Sequence, residues 1–213
     1  MEKYHDRKEA GKILAEQLKA YANRKDVVVL ALPRGGVPVA YEVAQALNLP
    51  LDVFIVRKLG VPGHEELAMG AIAMGGVTVF NDEIVRDLHI AKASIDSVIK
   101  SENEELKRRE IRYRGKRPFP ILTKKVVILV DDGIATGATM YAAVKALRHL
   151  QPASIVIAVP VAAADTCEKL AVLADKMVCP LRPHLFYAVG SWYDYFEQTE
   201  DEEVSELLAK RAF

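Results

Sequence analysis

Two adjacent carboxylates, Asp131 and Asp132, follow five apolar residues, Val126 to Val130, and precede a run of small and hydroxyl side chains: Gly133, Ala135, Thr136, Gly137, Ala138 and Thr139. The two parts suit different partners. Small residues let an anion approach backbone N–H groups, and the hydroxyls add donors. A helical pattern begins near Gly137 or Ala138, and a helix start carries unpaired N–H groups and partial positive charge. The carboxylates would repel the same anion. They suit the hydroxyls of a sugar, or a Mg²⁺ held through water. A sugar phosphate of the ribose type satisfies both ends. The five apolar residues, four of them β-branched, predict a strand buried on both faces, as in a parallel sheet.

Two other stretches place cations where a strand should end. Val27 to Leu32 is all apolar and runs into Pro33-Arg34-Gly35-Gly36, with a helix expected from about Val37 to Leu47. The glycines permit close approach of a ligand, and Arg34 offers a planar fork for phosphate oxygens. Leu51 to Val56 is expected to be a third strand, followed by Arg57-Lys58-Leu59-Gly60. That cation pair either faces an anion or is solvated. In open α/β sheets ligands bind at the carboxyl ends of strands, so one site could use all three stretches.

Val126 to Thr139 resembles the signature of the type I phosphoribosyltransferases: an apolar strand, two acids, then Thr-Gly-x-Thr. The rival reading, a strand end with a Walker-B-like acid pair, needs Gly-x-x-x-x-Gly-Lys-Ser/Thr, which the chain lacks. The resemblance implies that Asp131 and Asp132 are the catalytic pair, meeting the ribose 2′ and 3′ hydroxyls of phosphoribosyl pyrophosphate. It implies that Ala135, Thr136, Gly137, Ala138 and Thr139 wrap the 5′-phosphate, and that Arg34, Gly35, Gly36, Arg57 and Lys58 hold pyrophosphate. Mg²⁺ is the implied cofactor, carried by the ligand and by water near Asp131 and Asp132 with no direct protein ligand. A cis peptide is implied at Pro33–Arg34, a homodimer as the assembly, and a nitrogenous base as the acceptor. Ala135 occupies a position where hypoxanthine-guanine members carry Asp, so those two bases should be poor acceptors. A protein that senses the same ligand without catalysis is the alternative, and a hydrolase acting on it is a third.

The expected fold is α/β, a three-layer sandwich around a mainly parallel five-stranded sheet, because strands alternate with helices along the chain. The remaining strands are placed at Ser154 to Val159 and Lys176 to Cys179, with helices at His5 to Ala22, Ala93 to Arg114, Ala164 to Leu173 and Glu200 to Phe213. The whole chain, 1–213, is taken as one domain. An insertion at 60–120 supplies a flap hairpin, Ala68 to Ala73 and Val77 to Phe80 around Gly75-Gly76, then a short helix capped by Asn81 and a charged helix. The family's flap is a mobile cover, and Glu65 or Glu66 at its base are the first acids to test as a general base. Residues 180–213 form an expected C-terminal hood, where Tyr187 and Trp192 either hold the base or pack the tail.

Lys plus Arg equals Asp plus Glu at 29 each, so no global basic charge points to nucleic acid. The cluster Lys107, Arg108, Arg109, Arg112, Arg114, Lys116 and Arg117 is interspersed with glutamates, which favours a solvated helix face over an RNA surface. The polar start lacks a secretory apolar region, no run approaches a membrane span, and Cys167 and Cys179 lack metal spacing. A cytoplasmic location is expected.

Overall fold

A computed structural model describes residues 3–211. Five strands, β1 (Val27–Ala31), β2 (Leu51–Val53), β6 (Val126–Val130), β7 (Ser154–Ala158) and β8 (Lys176–Val178), form a parallel sheet in the order β2-β1-β6-β7-β8. Every residue of β1 and β6 is buried, as expected of unbroken β-branched runs between two layers. β6 lies at the centre, paired with β1 and β7 over its full length, so the groups that follow Val130 leave from mid-sheet.

A second, antiparallel sheet is built from β3 (Val56–Val61), β4 (His64–Ala73) and β5 (Val77–Phe80). The expected hairpin is present as β4 and β5 around Gly75-Gly76, both at positive φ. The extra strand β3 corrects the sequence reading. The core strand stops at Val53 because its partner, β1, ends at Ala31, opposite Val53. Phe54 and Ile55 stay buried while the chain crosses between sheets, which prolongs the apolar run to Val56. Arg57 and Lys58 therefore lie within β3 and not at a core strand end. Pro62-Gly63, with Gly63 at φ +80°, turns β3 into β4.

Seven α-helices occur among the described residues. α1 (Arg7–Gln17) is capped by Asp6, whose side chain accepts from the Glu9 N–H; a 3-10 turn follows at Lys19–Tyr21. α2 (Gly36–Leu47) packs on β1, β2 and α1. α3 (Asp82–Asp87) starts at Asn81, whose side chain accepts from the Ile84 N–H, as the sequence predicts. α4 (Lys92–Arg114) packs on β3 and on α7 (Asp201–Ala209), while α5 (Ala138–His149) lies against the antiparallel sheet. α6 (Ala164–Ala171) packs on β8. The end of the predicted closing helix, Ala212 and Phe213, lies outside the described residues.

The cationic cluster of α4 is largely engaged by carboxylates. Arg108 and Arg109 both bond Glu105, Arg112 reaches Glu202, and Arg114 is fully buried against Asp52. No helix among the described residues is long and apolar enough to cross a membrane.

Candidate functional site

At the end of β6 the chain turns so that both carboxylates sit beside the loop that ends β1. The two loops touch. A Cβ added to Gly35 would lie 2.0 Å from Asp132 Oδ2, and one on Gly36 would lie 2.9 Å from Asp131 Cα. Neither position has room for a side chain, which is the reason for the Gly-Gly pair. The Pro33–Arg34 bond is cis. Leu32 N–H donates to Val130 O, tying the ends of β1 and β6 together.

The acid pair is half-buried and internally ordered. Asp132 N–H donates to Asp131 Oδ1 at 2.8 Å. Burial and the neighbouring Asp132 carboxylate push the Asp131 carboxyl well above its ordinary range. Burial also raises Asp132, against the opposing pull of the Arg7 guanidinium. Like charges in a desolvated site favour retaining a proton until a cation or a hydrogen-bonding ligand arrives.

Downstream, Ala135, Thr136, Ala138 and Thr139 are exposed and Gly137 sits at φ +78° as the N-cap of α5. The loop is anchored from below. Ile134 bridges to Ala162, Ile134 N–H donates to Val161 O, and Thr166 Oγ1 donates to Ala135 O at 2.9 Å. A fixed loop with an exposed rim leading into a helix start has the geometry to accept an anion.

The expected pyrophosphate residues divide. Gly35 and Gly36 meet the acid pair. Arg34 is half-buried, with Nη1 3.6 Å from Asp201 and 4.0 Å from Glu200, at the acidic start of α7. Arg57 bonds Glu102 of α4 at 2.6 Å. Lys58 lines a cavity of about 700 Å³ between the antiparallel sheet and α5, together with Phe80, Ala138, Tyr141 and Lys145. Glu65 and Glu66 are exposed on β4.

The hood reaches the pair through residues the sequence did not single out. Tyr193 OH donates to Asp132 O at 2.5 Å, and Val189 packs where a Gly133 side chain would be. Trp192 stacks on Phe186 at 6.2 Å in a small second core with Tyr4, Ala10, Val161 and Tyr193. Tyr187 is 89% exposed. Arg7 was also missed: Nε donates to Asp132 Oδ2 at 2.8 Å, although 125 positions separate them. Nothing local marks Arg7, since Asp-Arg-Lys at a helix start is ordinary surface sequence.

Asp131 and Asp132 form the acidic end of the site, and no group of three or more His, Cys, Asp or Glu suited to a metal occurs among the described residues. A Mg²⁺ shared with a ligand's own oxygens and water fits such a donor set, because that ion usually keeps waters and takes one or two carboxylates.

A family model for the phosphoribosyl transferase domain matches residues 1–190. Two Mycobacterium tuberculosis proteins provisionally named phosphoribosyl transferases, Rv0571c of strain H37Rv and MT0597 of strain CDC 1551, are each 49% identical over 208 residues, 98% of this chain and 47% of theirs. The chain thus spans about half the length of those curated relatives. Among solved structures, TT1426 of Thermus thermophilus aligns with TM-score 0.87 and 40% identity over 99% of this chain and 100% of that one. AQ2163 of Aquifex aeolicus shares the fold at TM-score 0.51 and 13% identity, covering 95% and 83%. With a family model spanning most of its length, the chain belongs to the phosphoribosyl transferase domain family.

Proposed function

We propose that the chain binds Mg²⁺–phosphoribosyl pyrophosphate across the ends of β1 and β6 and transfers the phosphoribosyl group to a nitrogen nucleophile, a nucleobase, releasing pyrophosphate. The observation that carries this reading is the contact of the Gly35–Gly36 loop with Asp131 and Asp132, beside the anchored Ala135–Thr139 loop. Sugar hydroxyls and the ends of a doubly phosphorylated ribose find acceptors and donors there in one place. The bond from C1 to the pyrophosphate oxygen breaks as a bond from nitrogen to C1 forms on the opposite face. Positive charge grows on the sugar in between, and the carboxylates offset it. Mg²⁺, carried by the ligand and by water near Asp131 and Asp132, would neutralise charge on the leaving group. Thr136, Thr139 and the backbone of Ala135 to Ala138 grip the 5′-phosphate. Lys58 and Arg34 face the pyrophosphate once the ligand competes for Arg34. The antiparallel sheet is the flap, the assembly is a homodimer, and the location is cytoplasmic. In this reading the exposed Tyr187 is the candidate contact for the base, while Trp192 packs against Phe186 in the hood.

The test is a panel of bases with pyrophosphate release as the readout. Turnover of at least one base supports the transfer. Adenine or uracil is the expected substrate, and hypoxanthine and guanine should turn over poorly because Ala135 can neither take a proton nor bond a purine nitrogen. Efficient use of hypoxanthine would overturn that acceptor assignment.

A second reading has its own support. Arg34 and Arg57 both pair with internal carboxylates, which leaves fewer free cations for pyrophosphate. A sensor that binds phosphoribosyl pyrophosphate without transfer needs the cradle and not those cations. Saturable binding with no turnover of any base would select it.

A further inference from the structure

The second carboxylate of the pair is held from behind. Arg7 approaches Asp132 from the first turn of α1, its side chain only 13% exposed, with Nε bonded to Oδ2 at 2.8 Å. The guanidinium is itself fixed twice more: Nη1 donates to Glu197 O at 2.6 Å, and Cζ lies 3.9 Å from the centre of the Phe196 ring. Tyr193 OH holds the Asp132 carbonyl, and Gly35 backs the carboxylate from the other side. The two carboxylates then have one oxygen each committed inside the protein, Asp131 Oδ1 to the Asp132 N–H and Asp132 Oδ2 to Arg7. Apart from the contact between the two carboxyl groups themselves, no donor among the described residues reaches Asp131 Oδ2 or Asp132 Oδ1, so one oxygen of each can turn to a ligand.

We propose that Arg7 is a positioning residue that shapes the acid pair into a two-acceptor set for the vicinal diol of a ribose, making it specific for ribose over 2-deoxyribose phosphates. The inference rests on the proposed sugar-phosphate reading of the site. Two free oxygens on adjacent residues match the two O–H donors of a cis-diol. A 2-deoxy sugar leaves one of them unmatched in a half-buried site, which costs about tenfold or more in affinity for a bond to a charged acceptor. Without Arg7 the Asp132 carboxylate can rotate and satisfy itself elsewhere. The 5′-phosphate grip lies in the Ala135–Thr139 loop, anchored by Thr166 and Ile134, and does not depend on Arg7. Arginine suits the role because it stays charged and its planar fork can bond the carboxylate and the Glu197 carbonyl together.

The test measures binding of ribose 5-phosphate, 2-deoxyribose 5-phosphate and inorganic phosphate, with Mg²⁺, to the full chain and to Arg7→Gln and Arg7→Lys. The native chain should prefer the ribose compound about tenfold or more. Arg7→Gln should reduce that preference to about threefold or less with phosphate affinity unchanged, and Arg7→Lys should fall between. Equal binding of both sugars by the native chain, or an unaltered preference in Arg7→Gln, overturns the proposal. So does a parallel loss of phosphate affinity in Arg7→Gln, which would mark Arg7 as a general brace between α1 and the hood. The transfer reading fails separately: a native chain that prefers ribose 5-phosphate as stated yet transfers to no base keeps Arg7 in its role and removes only the transferase chemistry.

Discussion

Gly35→Ala is a stringent test of the site because the backbone tolerates it and the site does not. Gly35 sits at φ −58° and ψ −29°, ordinary helical angles that alanine adopts freely. In the unfolded chain the substitution removes conformational freedom, an effect worth about 0.4–1 kcal/mol of added stability where the native geometry suits alanine. The new methyl would stand 2.0 Å from Asp132 Oδ2 and 2.8 Å from its Cγ. Restoring an ordinary contact of 3.4 Å to Oδ2 moves that oxygen by about 1.4 Å, which breaks its bond to Arg7. Displacements of about 1 Å in positioned groups can reduce turnover on the order of 10²-fold. The expected outcome is a transition temperature within a few degrees of the native chain, since the entropy gain and the lost bond oppose each other, with kcat/KM for phosphoribosyl pyrophosphate down about 100-fold. Steady-state pyrophosphate release and thermal denaturation on the same preparation provide both numbers. Unchanged kcat/KM in a folded Gly35→Ala protein would show that Asp132 need not stand where it does, and the assignment of the pair would fall with it.

Arg114→Ala should destabilise by about 3–5 kcal/mol, the cost of leaving a buried charge unpaired, or about 6–20 °C for a chain of this size. Arg114 makes five hydrogen bonds, two of them to Asp52 at 2.8 and 2.9 Å, and urea midpoints at constant slope would expose a smaller loss. Asp131→Asn should abolish transfer yet stabilise the ligand-free protein at neutral pH. A carboxyl whose folded pKa is raised contributes stability that is full below its unfolded value, about 3.9, and is lost as pH rises through the folded value. The melting-temperature gain of the variant should therefore be near zero around pH 4 and grow toward neutrality, and a gain that shrinks with pH would refute the burial argument. Amides of β3 to β5 should exchange faster than those of β1 and β6 and become protected by phosphoribosyl pyrophosphate, and equal protection with and without it would rule out closure of the flap.

Local order alone determined several features. The strand Val126 to Val130, the acids after it, the small-residue turn and the start of α5 are one continuous stretch, so their arrangement needed only strand and helix geometry. The same holds for the Gly75-Gly76 hairpin and the Asn81 cap. Where neighbours decide, the sequence is silent. β2 ends at Val53 because its partner ends, and the apolar residues beyond it look like more strand although they cross between sheets. Arg34 and Arg57 look like free phosphate ligands until α7 and α4 fold back with Asp201 and Glu102. Arg7 and Tyr193 come from the two ends of the chain, and only folding brings them to Asp132. A side chain's charge partner is set by what packs across from it, and residues more than a hundred positions apart carry no local pattern that announces the meeting.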